Sequence, residues 1–341
     1  MPAEKPITIA TRGSALALAQ AQLILDQCRK TFPKLRFEIK IIKTTGDKNL
    51  TASLAQEGKT LPKGLFTKEL EVALVKGQAD LAVHSLKDLP TELPQGLKLG
   101  AVTKRADVRD VLIYRDAGYL AAQKSAAQVE EWSPGHSARR GFKPKLTLKD
   151  LPKGATIATS STRRRDQLLM RRPDFKIVEI RGNIITRMQK LADNPNLDAL
   201  VLAAAGIARL NFKITPAGKL EGDAVPDGLL AVLLETETML PAVGQAAIGI
   251  EIRADDERIE KICERLNHFN TFQCVTAERA FLAAMGGGCA SPVAAHTEVV
   301  GDKIQMKVIS FVGGTRRCAE GKQNVKEAEA LGQQLAGKLK G

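Results

Sequence analysis

The alternation of apolar and polar positions predicts a strand–helix arrangement that begins near the start of the chain. The apolar run Thr8–Thr11 predicts a strand, and the amphipathic pattern over Ala15–Phe32 predicts a helix. The β-branched segment Phe37–Lys43 and the apolar run Ala79–Val83 predict two further strands. The first part of the chain is therefore predicted to form a β-α-β-α-β unit.

The same order of segments recurs later in the chain. Thr156–Thr159 repeats the first strand, Arg163–Arg172 the helix, Phe175–Arg181 the second strand and Leu197–Val201 the third. Three similar strands in one order, with a helix after the first, indicate an internal duplication. Such β-α-β-α-β units are typical of parallel, twisted sheets covered by helices.

Other segments stand outside the duplicated halves. Asp116–Lys149 shows little apolar periodicity and is predicted to be an insertion that is largely loop. Gly244–Arg253 is predicted to be a strand that returns to the first sheet. The tail is predicted to contain helices at Ile259–Leu266, Cys274–Met285 and Val325–Leu339, and strands at Val293–Val300 and Ile304–Val312.

This order predicts three domains. Domain 1 comprises residues 1–108 and 244–266, and domain 2 comprises residues 109–243, including the insertion at 116–149. Domain 3 comprises residues 267–341 and is a small α+β unit. The chain's 341 residues, of which 44% are apolar, are sufficient for several cores.

The net charge of +13 points to an anionic partner. Only 4% of the residues are aromatic, so stacking platforms for single-stranded nucleic acid are scarce. A polyanionic small substrate explains clustered arginines equally well. A nucleic-acid-binding protein therefore remains an alternative, although neither nucleic acid nor a membrane is the expected partner.

The cysteines and histidines indicate a reduced protein without metal. The five cysteines and four histidines are scattered, with neither C-x-x-C pairs nor zinc-ligand spacing. The amino-terminal segment lacks a hydrophobic signal region, and no apolar stretch is long enough to span a membrane. We therefore expect a cytoplasmic protein.

Two residues are candidates for chemistry. Cys289 follows three glycines beyond a predicted helix, which favours an accessible thiol, although it could be incidental to a helix cap. Asp88 follows a buried strand among cations, where a carboxylate could stabilise developing positive charge or merely cap a turn. His84, without an acidic neighbour in sequence, is expected to be structural.

Cationic residues follow the predicted strands in both halves. Because ligands bind beyond the carboxyl ends of parallel strands, these residues are expected to line an anion site. The run Arg163–Arg165 opens a helix, where the dipole disfavours positive charge, and such a violation of local preference is typical of function. A solvated surface is the alternative for such a run.

Seven motifs together resemble the porphobilinogen deaminase family (hydroxymethylbilane synthases). They cover most of the chain outside Asp116–Lys149, and their combination is specific although no single one is. In chain order they are Ile9–Ser14, Lys63–Leu70, Ala82–Asp88, Thr159–Arg164, Arg181–Asn183, Leu240–Gln245 and Gly287–Cys289.

The resemblance implies an α/β fold with two doubly wound domains like type 2 periplasmic binding proteins, plus a small carboxyl-terminal α+β domain. It implies that Cys289 forms a thioether to a dipyrromethane cofactor, and that Asp88 hydrogen-bonds pyrrole N–H groups and stabilises a cationic azafulvene. Four porphobilinogen molecules would be joined head to tail with loss of ammonia, and water would release hydroxymethylbilane. A monomer is expected.

The resemblance also implies which residues bind cofactor and substrate, and the sequence differs from the family pattern at two positions. Ala246 and Ile185 stand where the family frequently has glycine. The rival interpretation is a non-catalytic, hinged anion-binding protein, which would need neither Cys289 nor Asp88. The residues that match cofactor- and substrate-binding positions are Arg12, Ser14, Lys63, Lys87, Ser161, Arg163, Arg164, Arg181, Arg187 and Arg209.

Overall fold

The computed structural model describes residues 5–44, 67–126, 139–288 and 291–340. The chain divides into two compact units. The first unit comprises Met1–Asp107 and Leu240–Gly341, and the second comprises Val108–Met239. The chain thus leaves the first unit once and returns to it once.

The described part of the chain contains both strands and helices. The strands are β1 (Ile7–Thr11), β2 (Phe37–Ile41), β3 (Leu81–Ser85), β4 (Leu97–Val102), β5 (Asp110–Arg115), β6 (Thr156–Ala158), β7 (Lys176–Val178), β8 (Ala199–Ala203), β9 (Lys213–Ile214), β10 (Leu220–Glu221), β11 (Leu229–Leu234), β12 (Ile248–Arg253), β13 (Val293–Val300), β14 (Lys303–Ser310) and β15 (Arg317–Asn324). The helices are α1 (Ala15–Thr31), α2 (Lys68–Val75), α3 (Ala117–Ala126), α4 (Thr162–Arg171), α5 (Ile184–Asp193), α6 (Ala204–Arg209), α7 (Glu257–Leu266), α8 (Phe269–Ala284) and α9 (Ala328–Lys340).

The main sheet of the first unit has the strand order β2-β1-β3-β12-β4. β1 is parallel to β2 and β3, whereas β12 is antiparallel to both β3 and β4. The predicted return of the later strand to the first sheet is therefore confirmed. Ile9, Val83 and Ile250 from these strands pack with Ile24 of α1 and Ile262 of α7 in a buried core.

The main sheet of the second unit has the order β7-β6-β8-β5-β11. β6 is parallel to β7 and β8, and β5 is antiparallel to β8 and β11. Each sheet therefore places one antiparallel strand in the same position, which confirms the duplication. The two faces of the second sheet are covered by separate apolar clusters. This repeated arrangement confirms the predicted pair of α/β units.

A three-stranded antiparallel sheet, β13-β14-β15, lies in the carboxyl-terminal part of the first unit. α8 and α9 cover it, with Phe281, Leu331 and Leu335 buried against Ile304 and Val308. The sequence analysis did not predict β15, because this edge strand is polar and largely exposed. The proposed boundary of a third domain at 267 stays a prediction.

The insertion is more ordered at its start than its sequence predicts. Ala117–Ala126 forms α3, a helix that the sequence analysis did not predict. Phe142 pairs with Asp116 and contacts the ring of Tyr114 edge-on, which anchors the later part of the insertion to the second sheet. Residues 127–138 lie outside the described residues.

The close approach of α9 to α8 depends on a glycine. A Cβ at Gly332 would lie 2.1 Å from the carbonyl oxygen of Ala277 and 2.9 Å from the amide nitrogen of Phe281. Gly332→Ala is therefore expected to lower the free energy of unfolding by about 1–3 kcal/mol, as overpacking does. Chemical denaturation of the purified variant measures the loss.

Gly337 in the same helix provides the control. A Cβ there meets no atom within 4 Å. Because alanine is a better helix former than glycine, Gly337→Ala should raise the free energy of unfolding by about 0.5–1 kcal/mol. Equal effects of the two substitutions would contradict the close helix contact.

Candidate active site

The carboxyl-terminal edge of the first sheet brings together four of the predicted site residues. β1 and β3 are adjacent and parallel, so the residues that follow them lie at the same edge. Arg12 and Ser14 follow β1, and Ser14 Oγ accepts a hydrogen bond from the first turn of α1 at 3.3 Å. Lys87 and Asp88 lie in a short 3₁₀ turn directly after β3. Asp88 is exposed, whereas the other three are partly buried.

The turn that carries Asp88 is fixed from several directions. The amide of Leu86 donates to the carbonyl of Ala247 at 3.0 Å. Arg279 of α8 donates to the carbonyls of Leu89 at 3.1 Å and of Pro90 at 2.6 Å. The exposed carboxylate of Asp88 is therefore presented on a braced turn.

Gly244 permits the loop before β12 to approach this turn closely. Its φ is +68°, and a Cβ there would lie 3.3 Å from the backbone of Leu86 and Lys87. Ala246 also has a positive φ, +68°, which explains why glycine suits this position better. The departure at Ala246 thus retains the loop conformation at the expense of some backbone strain.

A buried ion pair ties this loop to α8. Arg105 donates to both carboxylate oxygens of Glu278, at 2.7 and 2.9 Å, and to the carbonyl of Gln245 at 2.7 Å. Glu278 also accepts from the amide of Gly244 at 2.8 Å. Through Glu278 and Arg279, α8 thus contacts both the loop before β12 and the turn that carries Asp88.

His84 has an acidic partner that its sequence neighbourhood does not reveal. Its Nε2 lies 3.0 Å from Oε2 of Glu251, a residue 167 positions later on β12. Both side chains are buried. The pair joins β3 to β12 beneath the Asp88 turn, which agrees with a structural role for His84.

Two of the predicted residues, Lys63 and Cys289, lie outside the described residues. α8 ends at Ala284, and Gly286–Gly288 follow it. Among the described cysteines, burial raises the pKa of the thiols of Cys28, Cys263 and Cys274 to about 12, and Cys318 is exposed on β15.

The second sheet presents its own group of predicted residues. Ser161 caps α4 by accepting from the amide of Arg164 at 3.4 Å. Arg163 and Arg164 are buried, and both donate to the carboxylate of Asp110. Arg165 instead is exposed and pairs with the adjacent Asp166. The arginine run therefore divides into two inward residues and one solvated residue.

The remaining predicted arginines follow β7 and β8. Arg181 is partly exposed and pairs with Glu179 at 3.0 Å. Arg187 donates from Nε to the carbonyl of Gly182 at 2.8 Å, so Ile185 in the helix does not prevent a defined position. Burial lowers the pKa of Arg209 to about 10, which leaves it charged at neutral pH.

The turn before α5 requires a glycine at position 182. Its φ is +112°, a conformation that other residues rarely adopt, and a Cβ would come within 2.8 Å of Thr186. Asn183 then caps α5 by accepting from the amide of Thr186 at 2.9 Å. This tight turn sets the direction in which Arg181 and Arg187 leave the sheet.

Sequence reasoning missed Asp110 and Glu251. Each is a carboxylate in a strand that is otherwise mostly apolar, and each is completely buried. A charged residue inside such a strand was the available signal. Their partners could not be found from spacing, because the contacts cross large distances in sequence.

Within the described ranges, no group of three or more histidine, cysteine, aspartate or glutamate side chains is placed to hold a metal ion. No helix in those ranges is long and apolar enough to cross a membrane.

Comparison with known proteins identifies matches along nearly the whole chain. Residues 7–261 match the family described as porphobilinogen deaminase, dipyrromethane cofactor binding domain, and residues 272–341 match the porphobilinogen deaminase carboxyl-terminal domain. Substrate-binding domain 2 of GlnP from Lactococcus lactis aligns with 84% of this chain and 93% of its own, at 12% identity and a TM-score of 0.36. That likeness is too distant to add to the observed strand order.

Curated relatives extend over the same length. The porphobilinogen deaminase of Geobacter metallireducens is 42% identical over 339 residues, covering 99% of this chain and 92% of the relative. That of Desulforamulus reducens is 41% identical over 335 residues, covering 98% and 94%. With these matches and the duplicated sheets that carry the arginines and Asp88, the chain belongs to the porphobilinogen deaminase family.

Proposed function

We propose that this chain condenses four porphobilinogen molecules head to tail on a dipyrromethane held by Cys289, with release of ammonia and formation of hydroxymethylbilane. The observation that carries the proposal is Asp88, an exposed carboxylate on a braced turn at the sheet edge that also presents Arg12 and Lys87. Family membership over almost the whole chain supports the same reaction.

The side chains present fit a dipyrromethane. Each pyrrole carries an acetate and a propionate, for which guanidinium groups are suitable bidentate donors. The arginines proposed to hold these carboxylates are Arg12, Arg163, Arg164, Arg181, Arg187 and Arg209. When bound, the dipyrromethane supplies the carbon nucleophile on which the pyrrole chain is extended.

Asp88 is proposed to act on the incoming pyrrole. A carboxylate accepts hydrogen bonds and so can orient a pyrrole N–H group. The same negative charge stabilises the positive charge that develops on the pyrrole as ammonia leaves. Because the turn is already fixed by Leu86 and Arg279, little reorganisation is needed when that charge appears.

The arginines are proposed to neutralise a negative charge that grows with each addition. The pKa of Arg209 is lowered by burial only to about 10, so its charge persists at neutral pH. Ser14 and Ser161 cap the helices behind the cations. Lysine would be a poor replacement for these arginines, because it lacks the planar pair of donors.

Attachment at Cys289 is proposed by comparison with the other cysteines. The thiolate is the reactive form, and the raised pKa values of Cys28, Cys263 and Cys274 disfavour it. Cys318 is exposed but lies on β15 at the edge of the carboxyl-terminal sheet. We further propose a cytoplasmic monomer that acts on a small molecule, without a nucleic acid or membrane partner.

Asp88→Ala is expected to fold normally and to lose most of its turnover. The side chain is exposed, so the free energy of unfolding should change by no more than about 0.5 kcal/mol. Loss of the carboxylate should lower kcat by about 10²–10³-fold, as removal of one preorganised electrostatic group does. Steady-state release of ammonia from porphobilinogen measures this effect.

Glu92→Ala is the matched control, because Glu92 is an exposed carboxylate on the same loop. It should retain the kcat of the unmodified chain. Near-normal turnover in Asp88→Ala would remove Asp88 from the mechanism, and a similar loss in both variants would point to a general charge effect.

Cys289→Ala is expected to contain no covalent pyrrole after incubation with porphobilinogen, because the proposed thioether cannot form. Intact mass under denaturing conditions measures the adduct. Cys318→Ala removes an exposed thiol elsewhere and should carry the adduct as the unmodified chain does. A covalent adduct on Cys289→Ala would place the attachment at another residue.

A further inference from the structure

We propose that Asp110 is a positioning residue, which holds Arg163 and Arg164 in the orientation that receives the carboxylates of the pyrrole chain. The inference rests on the proposed function, since it assigns a role to a residue that contacts two proposed binding arginines. It concerns the second unit alone.

The fold places Asp110 at the ligand-binding edge of its sheet. β5 is antiparallel to β8, so the first residue of β5 lies beside the last residue of β8, and Asp110 pairs with Ala203. On the other side Asp110 pairs with Leu234 of β11. Two ladders therefore fix the backbone of Asp110 where the parallel strands β6 and β8 end.

The carboxylate of Asp110 divides its oxygens between the two arginines. Oδ2 accepts from Nη1 of Arg163 at 2.7 Å. Oδ1 accepts from Arg164 twice, from Nη2 at 2.8 Å and from Nε at 3.2 Å. Arg164 also donates from Nη1 to the carbonyl of Val201 at 2.9 Å. These contacts fix the plane of the Arg164 guanidinium.

The charges explain why two arginines can open a helix. Both lie in the first turn of α4, where the dipole disfavours positive charge. Asp110 is completely buried, and Arg163 and Arg164 are 3% and 6% exposed. Burial alone would raise the pKa of Asp110, but the adjacent Arg163 and Arg164 hold it well below its ordinary value. The carboxylate therefore stays ionised at neutral pH.

The carboxylate of Asp110 is an acceptor that the two guanidiniums share. Without Asp110 the two guanidiniums would repel each other and lose their common acceptor. The structure thus separates two tasks, with Asp110 setting the orientation and the arginines supplying the charge.

Asp110→Asn tests the role, because the amide keeps the shape and one acceptor oxygen while removing the charge. Apo-protein is incubated with porphobilinogen, and the rate of covalent cofactor formation is followed by intact mass. We expect formation to slow by at least about tenfold, and the KM of the reconstituted fraction to rise by a similar factor, as misplaced binding groups do. kcat should change less than KM.

Asp174→Asn is the matched control. Asp174 makes a two-point pair with Arg172, at 2.7 and 2.8 Å, just beyond the opposite end of α4. It should form the cofactor at the normal rate even if its stability falls. Equal slowing in both variants would mean that α4 merely needs its ion pairs for folding, and would overturn the positioning role.

Asp110→Glu keeps the charge and moves the carboxylate by one methylene. It is the test variant to use if Asp110→Asn does not fold. A folded Asp110→Glu or Asp110→Asn with normal cofactor formation and normal KM would overturn the proposal. If the unmodified chain itself gains no adduct from porphobilinogen, the proposed function fails, and that result is distinct from a defect confined to the Asp110 variants.

Discussion

Each main sheet is completed by one antiparallel strand, and the arrangement of the functional side chains depends on this constraint. β12 comes from residues far beyond the strands it joins, and β5 precedes the parallel strands of its own sheet. An antiparallel strand begins at the edge where its parallel neighbours end. These antiparallel strands therefore bring residues from distant parts of the sequence to the edges that carry the proposed catalytic and binding side chains.

The two sheets use this constraint differently. In the first unit, the loop before β12 supplies backbone groups that brace the Asp88 turn, and the Arg105–Glu278 pair secures that loop. In the second unit, the first residue of β5 supplies a carboxylate to Arg163 and Arg164. One half thus presents an exposed negative charge on a fixed turn, and the other presents oriented positive charge.

The local pattern of apolar and polar residues was sufficient to predict much of the fold. The bounds of β13 agree with the predicted strand, α1 ends within one residue of its prediction, and the duplication follows from repeated short segments. β15 and α3 escaped prediction because neither has the expected apolar periodicity. The strand-end position of Asp88 was also predictable from sequence. The partners of Arg163 and His84 were not, because Asp110 and Glu251 reach them only through sheet pairing between distant segments.

The central claim is that Cys289 carries the pyrrole chain, and the intact mass of the unmodified protein tests it most directly. The denatured protein is weighed before and after incubation with porphobilinogen, and the peptide containing Cys289 is then mapped. The account predicts a covalent increment of two linked pyrrole units on Cys289, with further single-pyrrole increments when substrate is limiting. A chain that carries no adduct either before or after incubation, or that carries one at another residue, would contradict it.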